Sequence, residues 1–235
     1  MVRSISSHSI APASVLRGDG AWDEALPQIK SLCSRPLLLG RSASTLQLRQ
    51  RLVADLQAQG LNPLQVQLQF DCCEQDLQRV AAEAQGCDAV LAAGGGKVLD
   101  AGKLLAHRLS LPCITVPLSA STCAGWTALS NIYSPKGAFE GDVALDRCPD
   151  LLVFDHGLVR QAPARTLASG VADALAWEDT ITAWVGVLSE YCATFSTHVP
   201  ECQEAMAWGV PLAFRALVES DRGWTQAFCE AWTAC

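Results

Sequence analysis

Gly94-Gly95-Gly96-Lys97-Val98-Leu99-Asp100-Ala101-Gly102-Lys103 is the segment of this sequence with the strongest chemical content. Three consecutive glycines let a backbone approach a ligand closely. They follow an apolar run over 88–93, a buried-strand pattern, and precede a helical stretch over 97–109. A helix starting there aims unpaired N–H groups and the positive end of its dipole at the loop, which suits a pyrophosphate. The spacing is neither the G-x-G-x-x-G dinucleotide fingerprint nor a Walker P-loop. A tight βα turn is the plain alternative for the triplet, but the flanking strand and helix favour phosphate binding.

Such a loop needs a scaffold, and the surrounding pattern describes one. Leu37-Leu38-Leu39 ends at Gly40 as a buried strand. The spacing predicts a helix over 43–59, with Leu46, Leu52, Val53 and Leu56 near one face and Gly60 as its stop. Leu64, Val66, Leu68 and Phe70 alternate with Gln65, Gln67 and Gln69, the mark of a strand with one wet face. A further helix over 74–85 stops at Gly86. Cys113-Ile114-Thr115-Val116 forms the next strand before Pro117, and Leu151-Leu152-Val153-Phe154 the last. Strands and helices alternating through short links predict an α/β fold with a doubly wound parallel sheet.

From Pro163 onward the pattern is helical, with 168–183 the longest piece. The expected organisation is an α/β domain with the glycine loop over 1–160 and an all-α domain over 161–235. Trp224, Phe228 and Trp232 recur at i, i+4 and i+8. That apolar stripe needs either a missing partner or the preceding helices to cover it.

Composition narrows the function classes. The 235 residues carry a net charge of −7, and half of them are hydrophobic. The acidic balance argues against a nucleic-acid backbone or an anionic membrane as partner. No apolar run approaches the roughly 18 residues of a membrane-spanning helix. The eleven cysteines include no C-x-x-C spacing, and the N-terminal segment has no continuous apolar stretch of the kind secretion requires. Reduced cysteines acting as small core residues in a cytoplasmic protein are the expectation.

The glycine run belongs to a longer series of motifs. Arg17-Gly18-Asp19-Gly20-Ala21 precedes it. Thr115-Val116-Pro117, the stretch 121–133, Pro149-Asp150-Leu151, Asp155, Pro163-Ala164-Arg165 and Gly170-Val171-Ala172-Asp173-Ala174-Leu175-Ala176 follow in order. This series resembles the glycerol dehydrogenase and hydroxycarboxylate dehydrogenase branch of the iron-containing, metal-dependent alcohol dehydrogenase family, and fades after Thr180. The resemblance implies a dehydroquinate synthase-like fold, with the active site between an α/β domain and a helical one. It makes 1–160 a dinucleotide-binding domain and 161–235 a partial all-α domain. It implies that Gly94, Gly95, Gly96, Lys97 and Asp100 line a dinucleotide site, with Ser119, Thr122 and Tyr133 as further cofactor contacts.

The choice of dinucleotide turns on Gly40-Arg41-Ser42. In related dehydrogenases a carboxylate after this strand holds the adenosine ribose, whereas here a cation and a hydroxyl stand without an acid. That pair suits the 2′-phosphate of NADP, so NADP(H) is expected over NAD(H), with Arg41 its contact. A solvated surface arginine is the plain alternative.

The substrate loop departs from the glycerol dehydrogenase pattern. Those enzymes carry Ser-Thr-Asp-Ala-Pro where this chain has Ser121-Thr122-Cys123-Ala124-Gly125. Ser121-Thr122-Cys123-Ala124, Trp126-Thr127 and Leu129-Ser130 are more similar to the hydroxycarboxylate dehydrogenases, which reduce 2-oxo acids. Removing a buried negative charge lessens repulsion of a carboxylate substrate. Cys123 and Trp126 are the expected substrate positions. Cys123 as a nucleophile lacks a recognisable His or Asn partner.

The family binds one divalent ion, Zn²⁺ or Fe²⁺, through an aspartate and two histidines. Asp173 matches the aspartate, and an acid among small apolar residues is expensive to bury without such a role. The ion would polarise a carbonyl while the nicotinamide delivers hydride. His8, His107, His156 and His198 all stand outside the family's histidine-bearing motifs, which lie further along the relatives' helical domain. The chain is therefore expected to be shortened or encoded with a separate C-terminal fragment. Alone, it should retain no metal and be impaired.

The expected function is hydride transfer between a nicotinamide cofactor and a small 2-oxo or 2-hydroxy acid or polyol, with the catalytic residue unassigned. Glycerol dehydrogenase proper, a non-catalytic dinucleotide-binding remnant, and an enzyme of the dehydroquinate synthase or glycerol-1-phosphate dehydrogenase type are the alternatives. The last has no support in the substrate loop. Small-molecule substrates are the expected partners, with a homo-oligomer open.

Overall fold

The computed structural model describes residues 11–171. Asp173, His8, His198 and the Trp224, Phe228, Trp232 stripe lie outside the described residues. The chain forms two compact units divided between Ala162 and Pro163, and all elements below belong to the first.

Six parallel strands form one sheet: β1 Ser14–Gly18, β2 Pro36–Gly40, β3 Leu64–Gln67, β4 Ala89–Gly94, β5 Cys113–Pro117 and β8 Leu151–Asp155. Their spatial order is β1-β8-β5-β4-β2-β3. Two further strands, β6 Leu129–Tyr133 and β7 Phe139–Ala144, make a separate antiparallel hairpin. The helices are α1 Ala21–Leu32, α2 Leu46–Ala58, α3 Glu74–Glu83, α4 Gly96–Leu109 and the short α5 His156–Val159. Among the described residues, no helix is long and apolar enough to cross a membrane.

Both faces of the sheet are covered, which is why its central strands read as unbroken apolar runs. Leu37, Leu39, Val90 and Ala92 point to the side packed by Leu77 and Val80 of α3 and Leu99 and Leu104 of α4. Leu38, Leu91, Ala93, Ile114 and Val153 point to the side packed by Trp22 and Ile29 of α1 and Leu52 and Leu56 of α2. Asp155, at the end of β8, fastens α1 to the sheet. Its carboxylate accepts the Trp22 N–H at 3.0 Å and the Leu158 N–H at 2.9 Å.

Three local expectations shift. The helix expected over 43–59 begins as a tight 3₁₀ turn over Ala43–Thr45 before α2. On it, Leu46 is 37% exposed while Arg49 is 1% exposed. The alternation expected through Phe70 keeps its burial pattern to Gln69. The ladder nevertheless ends sooner, because Asp76 takes the N–H groups of Gln69 at 2.7 Å and Phe70 at 3.1 Å.

The cysteines expected in the core are there. Cys33, Cys72, Cys73, Cys87 and Cys113 are buried thiols. Burial pushes the thiols of Cys33, Cys72 and Cys113 up to about 12 from the ordinary 9.0. A thiol that ionises later in the folded chain than in the unfolded one favours the fold below about pH 9, and the benefit is lost as pH rises toward 12. The urea midpoint is therefore expected to fall between about pH 8 and about pH 11, and to fall less steeply in Cys113→Ala. An identical slope in that variant would contradict the buried-thiol assignment.

Candidate dinucleotide-binding site

Neighbouring strands β2 and β4 send their connections in opposite directions. The chain leaves β2 through α2 to the edge strand β3, and leaves β4 through α4 to β5 on the other side. Such a reversal opens a crevice outside the carboxyl ends of the two strands, where open α/β sheets bind ligands. A cleft of about 580 Å³ lies there, within the range of about 300–1,000 Å³ usual for small-molecule sites. Arg41 and Ser42 after β2, residues 67–69 at the end of β3, and residues 95–98 at the start of α4 line it.

Gly95 and Gly96 of the glycine triplet line the floor. Gly95 caps α4 in an extended conformation, with no side chain bonded to the helix start. None of the three glycines occupies the left-handed region. Their role is close approach. A Cβ on Gly94 would meet Val98 at 2.8 Å, and one on Gly96 would meet Thr122 Cγ2 at 2.7 Å. Part of the triplet's purpose is thus packing of strand, helix and loop, which the turn reading anticipated.

Arg41 and Lys97 face the cleft with side chains 42% and 45% exposed. Both are held by Asp71, a residue the sequence pattern did not single out. One carboxylate oxygen pairs with Arg41 Nη1, and the other accepts from Lys97 Nζ at 2.6 Å. The absence of an acid beside Arg41 is therefore only local. The fold brings one from 30 positions along the chain. Lys97 Nζ also lies 4.4 Å from the ring centroid of Tyr133, a cation–π contact. Buried Arg49 braces the same loop from below, donating to the Ser42 carbonyl at 2.9 Å.

The loop after β5 rests on the helix start. Thr122 abuts Gly96, and Ser119 Oγ lies 3.7 Å from the Cβ position of Gly95. Cys123 and Trp126 are half-buried and close one turn, with the Trp126 N–H donating to the Cys123 carbonyl at 2.9 Å. Thr115 Oγ1 anchors the turn by donating to the Gly125 carbonyl at 2.9 Å.

Asp100 stands apart from the cleft. It is 5% exposed, and its carboxylate lies 3.1 Å from Lys103 Nζ, which is buried as well. Burial raises the Asp100 carboxyl above its ordinary value, while Lys103 opposes the rise. Lys103 donates to the carbonyl and hydroxyl of Thr127, each at 3.1 Å, and to the Leu129 carbonyl. Ser130 Oγ donates to the Asp100 carbonyl at 3.0 Å. The pair thus fastens the segment at Thr127 and the β6–β7 hairpin to α4.

Residues 12–156 match the model of the iron-containing alcohol dehydrogenases. The chain belongs to that family. It is 43% identical over 180 residues to an uncharacterized oxidoreductase from Synechocystis, covering 75% of this chain and 46% of that one. It is 38% identical over 113 residues to hydroxycarboxylate dehydrogenase A from Escherichia coli, covering 47% of this chain and 31% of that one. A probable glycerol dehydrogenase from Sinorhizobium meliloti shares the fold, with a TM-score of 0.73 at 23% identity over 96% of this chain and 64% of that one. The chain spans less than half the length of these curated relatives.

The family's metal has no seat in the described unit. Among the described residues, no three His, Cys, Asp or Glu side chains gather as a metal site. His107 lies late on α4 and faces Asp146 at 3.9 Å. His156 opens α5, buried, with neither ring nitrogen hydrogen-bonded.

Removing one member of a buried ion pair costs about 3–5 kcal/mol, because the survivor keeps an uncompensated charge. Asp100→Ala is thus expected to lose stability on that scale in urea unfolding, and Asp100→Ala with Lys103→Met to recover part of it. A double variant no more stable than the single one would overturn the pairing role.

Proposed function

We propose that this chain is the dinucleotide-binding part of an oxidoreductase that transfers hydride between NADP(H) and a small 2-oxo or 2-hydroxy acid or polyol. The observation that carries the reading is the cleft at the ends of β2 and β4, which has a helix start on one wall and Arg41 with Ser42 on the other. Family membership supports the reaction class, and relatives named as glycerol dehydrogenase and hydroxycarboxylate dehydrogenase support the polyol and the acid substrate respectively.

The backbone N–H groups at the start of α4, with Lys97, are suited to a pyrophosphate. Arg41 offers a charge-assisted contact to a 2′-phosphate, and the Ser42 hydroxyl a second donor. Ser119, Thr122 and Tyr133 flank this path through their contacts with Gly95, Gly96 and Lys97. When bound, the nicotinamide supplies the hydride. Cys123 and Trp126 shape the substrate side, where an uncharged residue in place of an acid leaves a carboxylate unopposed. Asp100 and Lys103 serve by holding that loop on α4. Asp173 remains the proposed metal ligand.

A hydrogen bond to a charged group contributes about 1.5–3 kcal/mol. Arg41→Ala is therefore expected to weaken NADPH binding by roughly 10- to 100-fold, with NADH changed little, in titrations followed by cofactor fluorescence. Tighter binding of NADH than NADPH by the unaltered chain would refute the assignment of Arg41.

A further inference from the structure

Asp71 occupies an unusual place beside the cleft. Its side chain is 9% exposed, yet both oxygens are taken by cations whose side chains remain nearly half exposed. The segment that carries it is pinned on every side. The Leu68 N–H donates to the Gly40 carbonyl at 2.8 Å, Asp76 holds Gln69 and Phe70, and the Tyr133 N–H donates to the Cys72 carbonyl at 2.7 Å. At the turn of the β6–β7 hairpin, a Cβ on Gly137 would stand 3.5 Å from Asp71 Oδ2. The carboxylate is a fixed base plate under two long, otherwise flexible side chains.

We propose that Asp71 is the residue that sets the dinucleotide preference, by holding Arg41 and Lys97 in place before the cofactor arrives. The inference rests on the NADP(H) reading above. One carboxylate under two cations leaves a single net positive charge at the cleft rim. It occupies one donor of each, leaving the other N–H groups of the guanidinium and ammonium for phosphate oxygens. Arg41 directly follows β2 and Lys97 lies in the first turn of α4, so each is assigned to one wall of the cleft. Without the carboxylate the two cations repel one another and each regains its rotamer freedom.

Two physical effects of removing Asp71 have opposite signs, which makes the proposal testable. If Asp71 were only a competing negative charge, its neutralisation would strengthen binding of every anion. If it positions Arg41, neutralisation weakens the ligand bearing a 2′-phosphate most. Titrations of the full chain with NADPH and NADH are expected to show the NADPH:NADH affinity ratio falling about five-fold or more in Asp71→Asn, a loss of roughly 1 kcal/mol of discrimination. In an Arg41→Ala background the same change should leave the ratio unaltered, because Asp71 acts through Arg41. A general loss of structure would lower both affinities together and leave the ratio unmoved.

A ratio unchanged or raised in folded Asp71→Asn overturns the proposal while leaving the NADP(H) reading intact. Equal binding of the two cofactors by the unaltered chain overturns both. A second measurement needs no variant. Nitrogen-15 NMR of the cofactor-free chain should show hindered rotation of the Arg41 guanidinium, and a freely rotating group there overturns the positioning role.

Discussion

The site depends on one constraint of topology: two adjacent parallel strands whose chains leave in opposite directions. Hydrogen bonding holds β2 and β4 side by side, with Leu39 opposite Ala92. No covering loop bridges their carboxyl ends, because one connection runs outward to β3 and the other inward to β5. A crevice follows from the winding itself. What the sequence adds is the choice of groups that face it: glycine backbone and a helix start on one side, an arginine and a serine on the other.

Making that crevice polar requires charged groups next to a hydrophobic sheet, and the chain meets the cost by pairing them. Asp71 serves Arg41 and Lys97 at the cleft; away from it, Asp76 serves Arg79 and two backbone N–H groups, and Asp100 serves Lys103. Each carboxylate is nearly or fully buried, and each ties a loop to an element of the frame. The same side chains that keep charge tolerable near the core therefore keep the loops around the cleft in place. A fully buried pair such as Asp100 with Lys103 adds little net stability over well-packed apolar groups, so geometry is its best-supported contribution.

How much of this was legible along the chain follows from how local each signal is. The runs at Leu37, Ala89, Cys113 and Leu151 identified the central strands, because a strand buried on both faces must be apolar at successive positions. The glycine triplet at the end of one strand located the floor of the cleft. The β6–β7 hairpin escaped notice because its apolar residues are not buried as a pattern: Phe139 is 62% exposed and Leu129 38%. Ile132, Tyr133 and Val143 pack only partly buried against the core, and polar contacts from Lys103 and Ser130 add to their hold. Asp71 was invisible for a related reason. An acid 30 residues from Arg41 has no periodicity to reveal it, and only the parallel placement of β3 beside β2 brings the two together. Arg49 likewise sits where a helical period calls for an apolar residue, supporting Ser42 from beneath.

On the reading proposed above, the dinucleotide phosphates bind across the ends of β2 and β4. A crystal structure of the chain grown with NADPH would decide this. The pyrophosphate is expected on the backbone N–H groups at the start of α4, and the 2′-phosphate within hydrogen-bonding reach of Arg41 and Ser42. A dinucleotide bound elsewhere on the sheet, or with its adenosine end turned away from Arg41, would contradict it.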